Sequence, residues 1–204
     1  MMESMLVIVG AGGHAKVVIA TARSAGWTQL TLVDHASALW GGSVLGIPIS
    51  GGVDEALADS SAQVVLAIGS NAGRLKLAQA ARCRFMTLVH RSAIVDPSVE
   101  LGPGTVVFAG CVIQPDTKIG AHGIVNTGAS IDHDCTLGIG VHVAPGACLA
   151  GNVELGDRVF VGIGAALIPG IRVGRDSVVG AGATVVKNVE PGTTVIGTPA
   201  RKLR

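Results

Sequence analysis

Tyrosine is absent from these 204 residues, and phenylalanine and tryptophan number only three and two. Aromatic packing therefore cannot supply the core. A hydrophobic fraction of 49% has to be carried by Val, Ile, Leu and Ala. Charge is scarce as well, at 14% with a net of +1. That balance, without any basic run, gives no support for a nucleic-acid or membrane-surface role. No apolar run approaches a membrane span, and the apolar start, Met5 to Val9, is too short for a signal peptide and runs into glycines. The four cysteines, Cys83, Cys111, Cys135 and Cys148, lack C-x-x-C spacing and are expected as reduced, mostly buried thiols of a cytoplasmic protein.

What is present is a period. Every sixth residue from Val89 through Val95, Leu101, Val107 and Ile113 to Val173, Val179 and Val185 is aliphatic, with no slip in phase. Repetition at six residues is the signature of a parallel β-helix. Two residues before these positions the side chain is mostly small (Thr105, Cys111, Thr117, Gly123, Ala129, Cys135), as a crowded interior corner requires. Glycine follows the aliphatic position at Gly102, Gly120, Gly138, Gly156 and Gly174, eighteen apart, so three hexads form one triangular coil. These glycines are expected to help the chain around one corner, and residue n to lie below residue n+18. The pattern stops after Val185, and a basic tail follows.

Residues 1–85 read differently. Met5 to Val9 is a buried strand, followed by Gly10-Ala11-Gly12-Gly13-His14-Ala15 and an apolar helix. A second strand, Leu30 to Val33, ends at Asp34. Ser43 to Ile49 is expected as a crossover strand, Val53 to Ala58 as a helix, and Val64 to Ile68 as a buried strand ending at Gly69-Ser70-Asn71. Arg74 to Arg84 is expected to be helical, and Phe85 to Val89 to lead into the solenoid. This is a Rossmann-like βαβαβ domain with a parallel sheet, ahead of a β-helical domain over residues 86–204. The glycines let backbone approach a phosphate at a helix N-terminus, and Asp34 can bond a sugar hydroxyl. The alternatives are a glycine-rich turn without a ligand and an NAD site. A complete dinucleotide fold usually needs a second half-domain, which disfavours the latter.

Of six histidines, His133 stands out. It follows the inward Ile131 by two residues, at or near a corner, and Asp132 and Asp134 flank it. The position above it is Gly151, which leaves one side of the imidazole unobstructed. A neighbouring carboxylate fixes a tautomer and raises basicity, as a general base needs. His142 lies nine residues on, half a coil away. The two converge only where prisms pack side by side, and a three-sided prism suits a threefold assembly. For an isolated histidine such as His122 the simpler reading is a hydrogen-bonded surface residue. A three-histidine site resembling that of zinc-dependent β-helical carbonic anhydrases needs a closely spaced ligand pair. His122, His133 and His142 do not provide one, so no metal is expected.

The segments Val7-Ile8-Val9-Gly10-Ala11-Gly12-Gly13-His14, Asn126 to Cys135 (with Ile131-Asp132-His133-Asp134-Cys135 at its end), Val141-His142-Val143-Ala144-Pro145-Gly146 and Gly197-Thr198-Pro199-Ala200 resemble the bacterial sugar-nucleotide N-acetyltransferases. These are the enzymes that acetylate UDP-4-amino-4,6-dideoxy sugars in bacillosamine synthesis, with related GDP-perosamine N-acetyltransferases and sialic acid O-acetyltransferases. The resemblance implies a left-handed parallel β-helix, a homotrimer with active sites between subunits, and acetyl-CoA bound between adjacent prisms. It implies His133 as general base and Asp134 as its partner. His142, Gly151, Ile163 and Ala181 would meet the acetyl-CoA, and Gly10, Gly12, Gly13, His14, Asp34, His35, Gly69 and Asn71 the nucleotide sugar. Some relatives carry an acid where this chain has His35. The leading expectation is N-acetylation of a nucleotide-linked amino sugar. Sialic acid O-acetylation and a non-enzymatic scaffold are the alternatives.

Overall fold

The computed structural model describes residues 5–203. The chain separates into two compact units, one through Arg91 and one from Ser92. In order, the first unit holds β1 (Leu6–Val9), α1 (Gly13–Ser24), β2 (Leu30–Val33), β3 (Ser43–Val44), β4 (Ile47–Pro48), α2 (Val53–Ala58), β5 (Gln63–Leu66), α3 (Asn71–Ala80) and β6 (Arg84–Phe85). Four of the strands form a parallel sheet in the order β2-β1-β5-β6. β1 is buried along its whole length, as an unbroken apolar run in a central parallel strand should be. The chain leaves β1 toward β2 on one side and returns to β5 on the other. The carboxyl ends of β1 and β5 therefore form a topological switch point, where open α/β sheets bind ligands.

Three expectations change here. Ser43 to Ile49 is an antiparallel hairpin, because Leu45 and Gly46, both at positive φ, reverse the chain. α3 starts at Asn71, earlier than Arg74, because the Ser70 hydroxyl caps it by accepting the Gly73 N–H at 3.2 Å. Arg84–Phe85 joins the parallel sheet as its fourth strand.

The second unit is a left-handed parallel β-helix of two-residue strands on three faces. The first face stacks Val106–Val107, Ile124–Val125, His142–Val143, Phe160–Val161 and Val178–Val179. The second runs from Ile94–Val95 through Ser130–Ile131 and Cys148–Leu149 to Thr184–Val185, and the third from Glu100–Leu101 to Arg172–Val173. Partners lie eighteen residues apart: Val107 with Val125, Ile113 with Ile131, Ile119 with Leu137. Every ladder residue from Val107 to Val185 is at most 3% exposed. Corner hydroxyls bridge the coils. Thr105, for example, donates to the Gly120 carbonyl at 3.0 Å and accepts from the Gly123 N–H at 3.1 Å.

The turn glycines carry a correction. The third residue after each ladder position, from Gly104 to Gly182, has positive φ without exception, and is Gly or one of Asp116, His122, Asp134, Asn152, Arg158 and Asp176. That residue turns the corner. Gly102, Gly120, Gly138 and Gly156 instead mark close stacking on the edge between third and first faces. A Cβ on Gly156 would sit 2.6 Å from the Arg175 nitrogen, and one on Gly120 2.8 Å from the Gly138 carbonyl carbon. The coil also continues past Val185. Val173 bridges Val189 and Val179 pairs with Val195, two residues short of the eighteen-residue repeat, which ends the sequence period but not the stack. Arg201–Lys202 then folds back antiparallel on Thr194–Ile196 and covers the last strand edge.

Candidate functional site

The edge between second and third faces carries His133. Its turn is tied to the coils on either side. The Thr117 hydroxyl donates to the Asp132 carbonyl at 2.9 Å and accepts the Cys135 N–H at 3.3 Å. Asp134 N–H bonds the Pro115 carbonyl, and Asn152 N–H the His133 carbonyl. Asp132 Oδ1 accepts the His133 N–H at 3.0 Å. Asp134, at φ 59°, swings its carboxylate back beside the ring, and His133 Nδ1–H donates to its Oδ2 at 2.7 Å. The hydrogen bond to Asp134 raises the His133 pKa above its ordinary value, with desolvation opposing and the charges of Asp132 and Asp134 adding to the rise. Nε2 is left with the lone pair. Gly151 does not leave a face empty, as the sequence suggested. The imidazole itself takes the space, since a Cβ there would fall 2.7 Å from Cε1 and Nε2.

The outward side chains of the second face are apolar or small. Val112, Ser130, Cys148 and Ala166, with Gln114, Asp132 and Ala150 at the margin, line a groove of about 320 Å³. The third face, by contrast, is solvated, with ion pairs Lys118–Glu100 at 2.9 Å and Arg172–Glu154 at 3.2 Å.

On the first face, in the strand His142–Val143, stands His142, only 8% exposed. Asn126 orients it. Asn126 Oδ1 accepts the Thr127 N–H at 2.8 Å, so its amide nitrogen is the group that donates to His142 Nε2, at 3.1 Å. The proton of neutral His142 therefore resides on Nδ1. Phe160 packs edge-on against the ring at 5.1 Å. Ile163 and Ala181 stack along the edge between first and second faces, where the Gly182 N–H bonds the Ile163 carbonyl at 2.8 Å, and Ile163 is 61% exposed. Within one chain, His133 and Gly151 thus lie on one edge of the second face, Ile163 and Ala181 on the other, and His142 on the neighbouring first face. One hexad separates the edges, at most about 20 Å at 3.3 Å per residue.

In the first unit, the candidates gather at the switch point. Gly10 is held at φ 104° against Ala67 and Ile68. Gly12 caps α1, yet a Cβ on Gly12, Gly13 or Gly69 would meet nothing within 4 Å. No packing inside the protein demands glycine there, whereas a ligand lying against the backbone would. The Asp34 carboxylate ties the loop, accepting the Ala11 N–H at 2.8 Å and the Ala36 N–H at 2.8 Å. His35 is exposed beside it. Arg74, 1% exposed, braces the opposite loop by donating to the carbonyls of Ile68 (2.9 Å) and Gly69 (3.4 Å) and to Asn71 Oδ1 (2.9 Å). Burial, and next the Arg74 charge, push the His14 pKa down to about 4, so His14 is neutral at pH 7.

Sequence reasoning passed over Asn126, Thr117 and Arg74 as site residues. The eighteen-residue stack was the available signal for Thr117, directly below Cys135. Nothing in the pattern marked Arg74. His122 is buried rather than a surface residue, at 7% exposure and φ 57°. Cys111 and Cys135 are buried thiols donating to the Asn126 and Ala150 carbonyls, and burial pushes both pKa values up. Among the described residues, no three His, Cys, Asp or Glu side chains group as a metal site, and no helix is long and apolar enough to cross a membrane.

Comparison with known proteins finds the PglD N-terminal domain over residues 5–81 and the bacterial transferase hexapeptide (six repeats) over residues 152–187. PerB of Caulobacter crescentus, a perosamine N-acetyltransferase solved with CoA and GDP-perosamine, is 42% identical over 98% of both chains, with a TM-score of 0.90. The acetyltransferase domain of PglB from Neisseria gonorrhoeae, also solved with acetyl coenzyme A, is 35% identical over 98% of this chain and 99% of that one, with a TM-score of 0.92. WeeI from Acinetobacter baumannii is 28% identical over 98% and 100%, with a TM-score of 0.88. No curated protein sequence matches the chain.

Proposed function

The chain belongs to the hexapeptide-repeat sugar N-acetyltransferases that carry a PglD N-terminal domain, and on that premise we propose that it transfers acetyl from acetyl-CoA to the amine of a nucleotide-linked amino sugar. The observation that carries the chemistry is the His133–Asp134 pair, with Nδ1 engaged at 2.7 Å and the side chain 54% exposed, which leaves Nε2 to take a proton.

The acceptor reaches the enzyme as an ammonium and becomes a nucleophile only after losing a proton. His133 Nε2 accepts that proton, and Asp134 steadies the resulting imidazolium. The amine nitrogen bonds to the thioester carbonyl carbon, and the oxygen takes the negative charge. A backbone N–H or His142 is the group suited to that oxygen, a contribution typically of about 3 kcal/mol for one preorganised donor. When the C–S bond breaks, the imidazolium returns its proton to the departing sulfur and the new amide nitrogen releases its second proton to solvent, so no covalent enzyme intermediate forms. The second-face groove suits the thin pantetheine arm because its outward side chains are short. The glycine loop and α1 N-terminus hold the diphosphate, Asp34 and His35 lie toward the sugar of the nucleoside, and Gly69 and Asn71 close the other wall. Gripping the nucleotide part of the substrate makes the attack effectively unimolecular.

His133 lies at the edge between second and third faces and His142 on the first face. A homotrimer of side-by-side prisms lets His133 of one copy act with His142, Ile163 and Ala181 of the next. The deciding experiment is thiol release from acetyl-CoA against UDP-, GDP- and dTDP-linked amino sugars, with free sialic acid included. Turnover of one nucleotide amino sugar is expected, and His133→Ala should lower the rate at least about a hundredfold with assembly unchanged. Full activity in His133→Ala removes the assignment of the base. Turnover of sialic acid alone moves the reading to O-acetylation.

A further inference from the structure

Of the large aromatic side chains in the first unit, Trp40 is the exposed one, and the site above does not use it. Trp40 is 50% exposed. Its indole N–H donates to the Asp34 carbonyl at 2.7 Å, so the ring's polar atom is already satisfied. One ring face lies against Gly51. A Cβ there would meet Cε2, Cδ2 and Cε3 at 2.9, 3.0 and 3.3 Å, which are bonded ring atoms around a fusion carbon that can be approached only from a face. The loop behind the ring is rigid by its own backbone bonds. Gly41 N–H donates to the Ile49 carbonyl at 3.0 Å and Ile49 N–H to that of Gly42 at 2.9 Å. The result is a fixed aromatic plate with one face packed and part of the other open.

Its position matters more than its exposure, since a lone exposed tryptophan needs no explanation. Trp40 is tied to Asp34 through the backbone carbonyl, and the Asp34 carboxylate is tied to Ala11 of the glycine loop. The plate and the open glycines Gly12 and Gly13 are therefore two contacts apart, with Asp34 between them. In a nucleoside diphosphate the same order recurs: diphosphate, ribose, base. We propose that Trp40 is the stacking platform for the nucleobase of the nucleoside diphosphate carried by the sugar substrate. Every base presents a π-face, so the plate contributes affinity for the nucleotide class without choosing among bases. This inference rests on the nucleotide-sugar reading above and assigns it a residue in a loop that no sequence motif marked.

The test uses the full chain carrying Trp27→Phe, which leaves Trp40 as the sole indole. Saturable quenching of its fluorescence by GDP and by UDP is expected, with none from inorganic pyrophosphate, which lacks a base. Calorimetry on Trp40→Ala should show GDP binding weakened roughly tenfold and pyrophosphate binding unchanged. In thiol-release assays the same variant should raise KM for the nucleotide sugar by a similar factor with kcat nearly unchanged, and Trp40→Phe should recover most of the loss. GDP that binds without quenching, or with equal affinity to Trp40→Ala, while thiol release is normal, overturns the stacking platform alone. No GDP binding and no thiol release from the unsubstituted chain overturns the nucleotide-sugar reading and this inference with it.

Discussion

Asp134 has two duties that one side chain rarely combines. Its backbone occupies the left-handed region that the coil corner needs, and its carboxylate holds the His133 ring. Asparagine tolerates the same φ, so Asp134→Asn separates the duties. The fold should persist, while loss of the carboxylate returns His133 toward its ordinary pKa. Because the native pKa is raised, His133 stays protonated, and idle as a base, to a higher pH than a free imidazole. The acid limb of kcat/KM should accordingly lie above pH 6.5 in the native enzyme and shift downward in the variant. A pH–rate profile reads both, and an unmoved limb removes the coupling. Gly151 provides a second test at this scale. Gly151→Ala places a methyl 2.7 Å from Cε1 and Nε2, and a ring displaced by about 1 Å should cost tenfold to a hundredfold in kcat while thermal stability changes little.

The hexad uses glycine for two unrelated reasons, and the element behaves accordingly. At the third turn residue the demand is conformational: Gly164 has φ 64° and open space around the missing Cβ. Gly164→Asn should therefore leave the melting temperature within a degree or two, since Asn enters this region readily. On the edge between third and first faces the demand is steric. Gly156→Ala drives a methyl against the Arg175 backbone at 2.6 Å and should destabilise the solenoid by about 1–3 kcal/mol, visible as a fall of several degrees in a thermal melt. Equal effects of the two substitutions would contradict this division. Both kinds of glycine appear as G in the same repeat, so periodicity alone could not separate them, and the sequence reading assigned the turn to the wrong set.

At the scale of the whole molecule, the question is which surfaces act together. If the site is built by two copies, His133→Ala and His142→Ala fail for different reasons on different surfaces. Mixed assemblies of these two inactive chains should then regain activity at about a quarter of the seams, the chance that an intact surface of each kind meets in a random trimer. Refolding the variants together and measuring thiol release tests this, and continued inactivity would place the whole site in one chain. The second face suits such a contact, with small outward residues beside a charged third face.

The ladder from Val107 to Val185, the three-sided coil and the strand–glycine–helix start were readable from residues alone. Each follows from a repeating local demand: an apolar residue where the coil is dry, a small one where it is crowded, glycine where the backbone is bare. The His133–Asp134 pair was readable for the same reason, since its members are adjacent. Tertiary structure decided what depends on distance in space rather than in sequence. It moved Gly151 from an open face to the seat of the imidazole and brought Asn126 onto His142. It buried Arg74 under the loop of Gly69, and extended the stack past Val185 in a shortened coil. It also stood Trp40 beside Asp34, although the loop joining them has neither a repeat nor a helical period. Local chemistry repeats and so shows itself in a sequence; a contact made once, between residues that no period relates, appears only when the chain is folded.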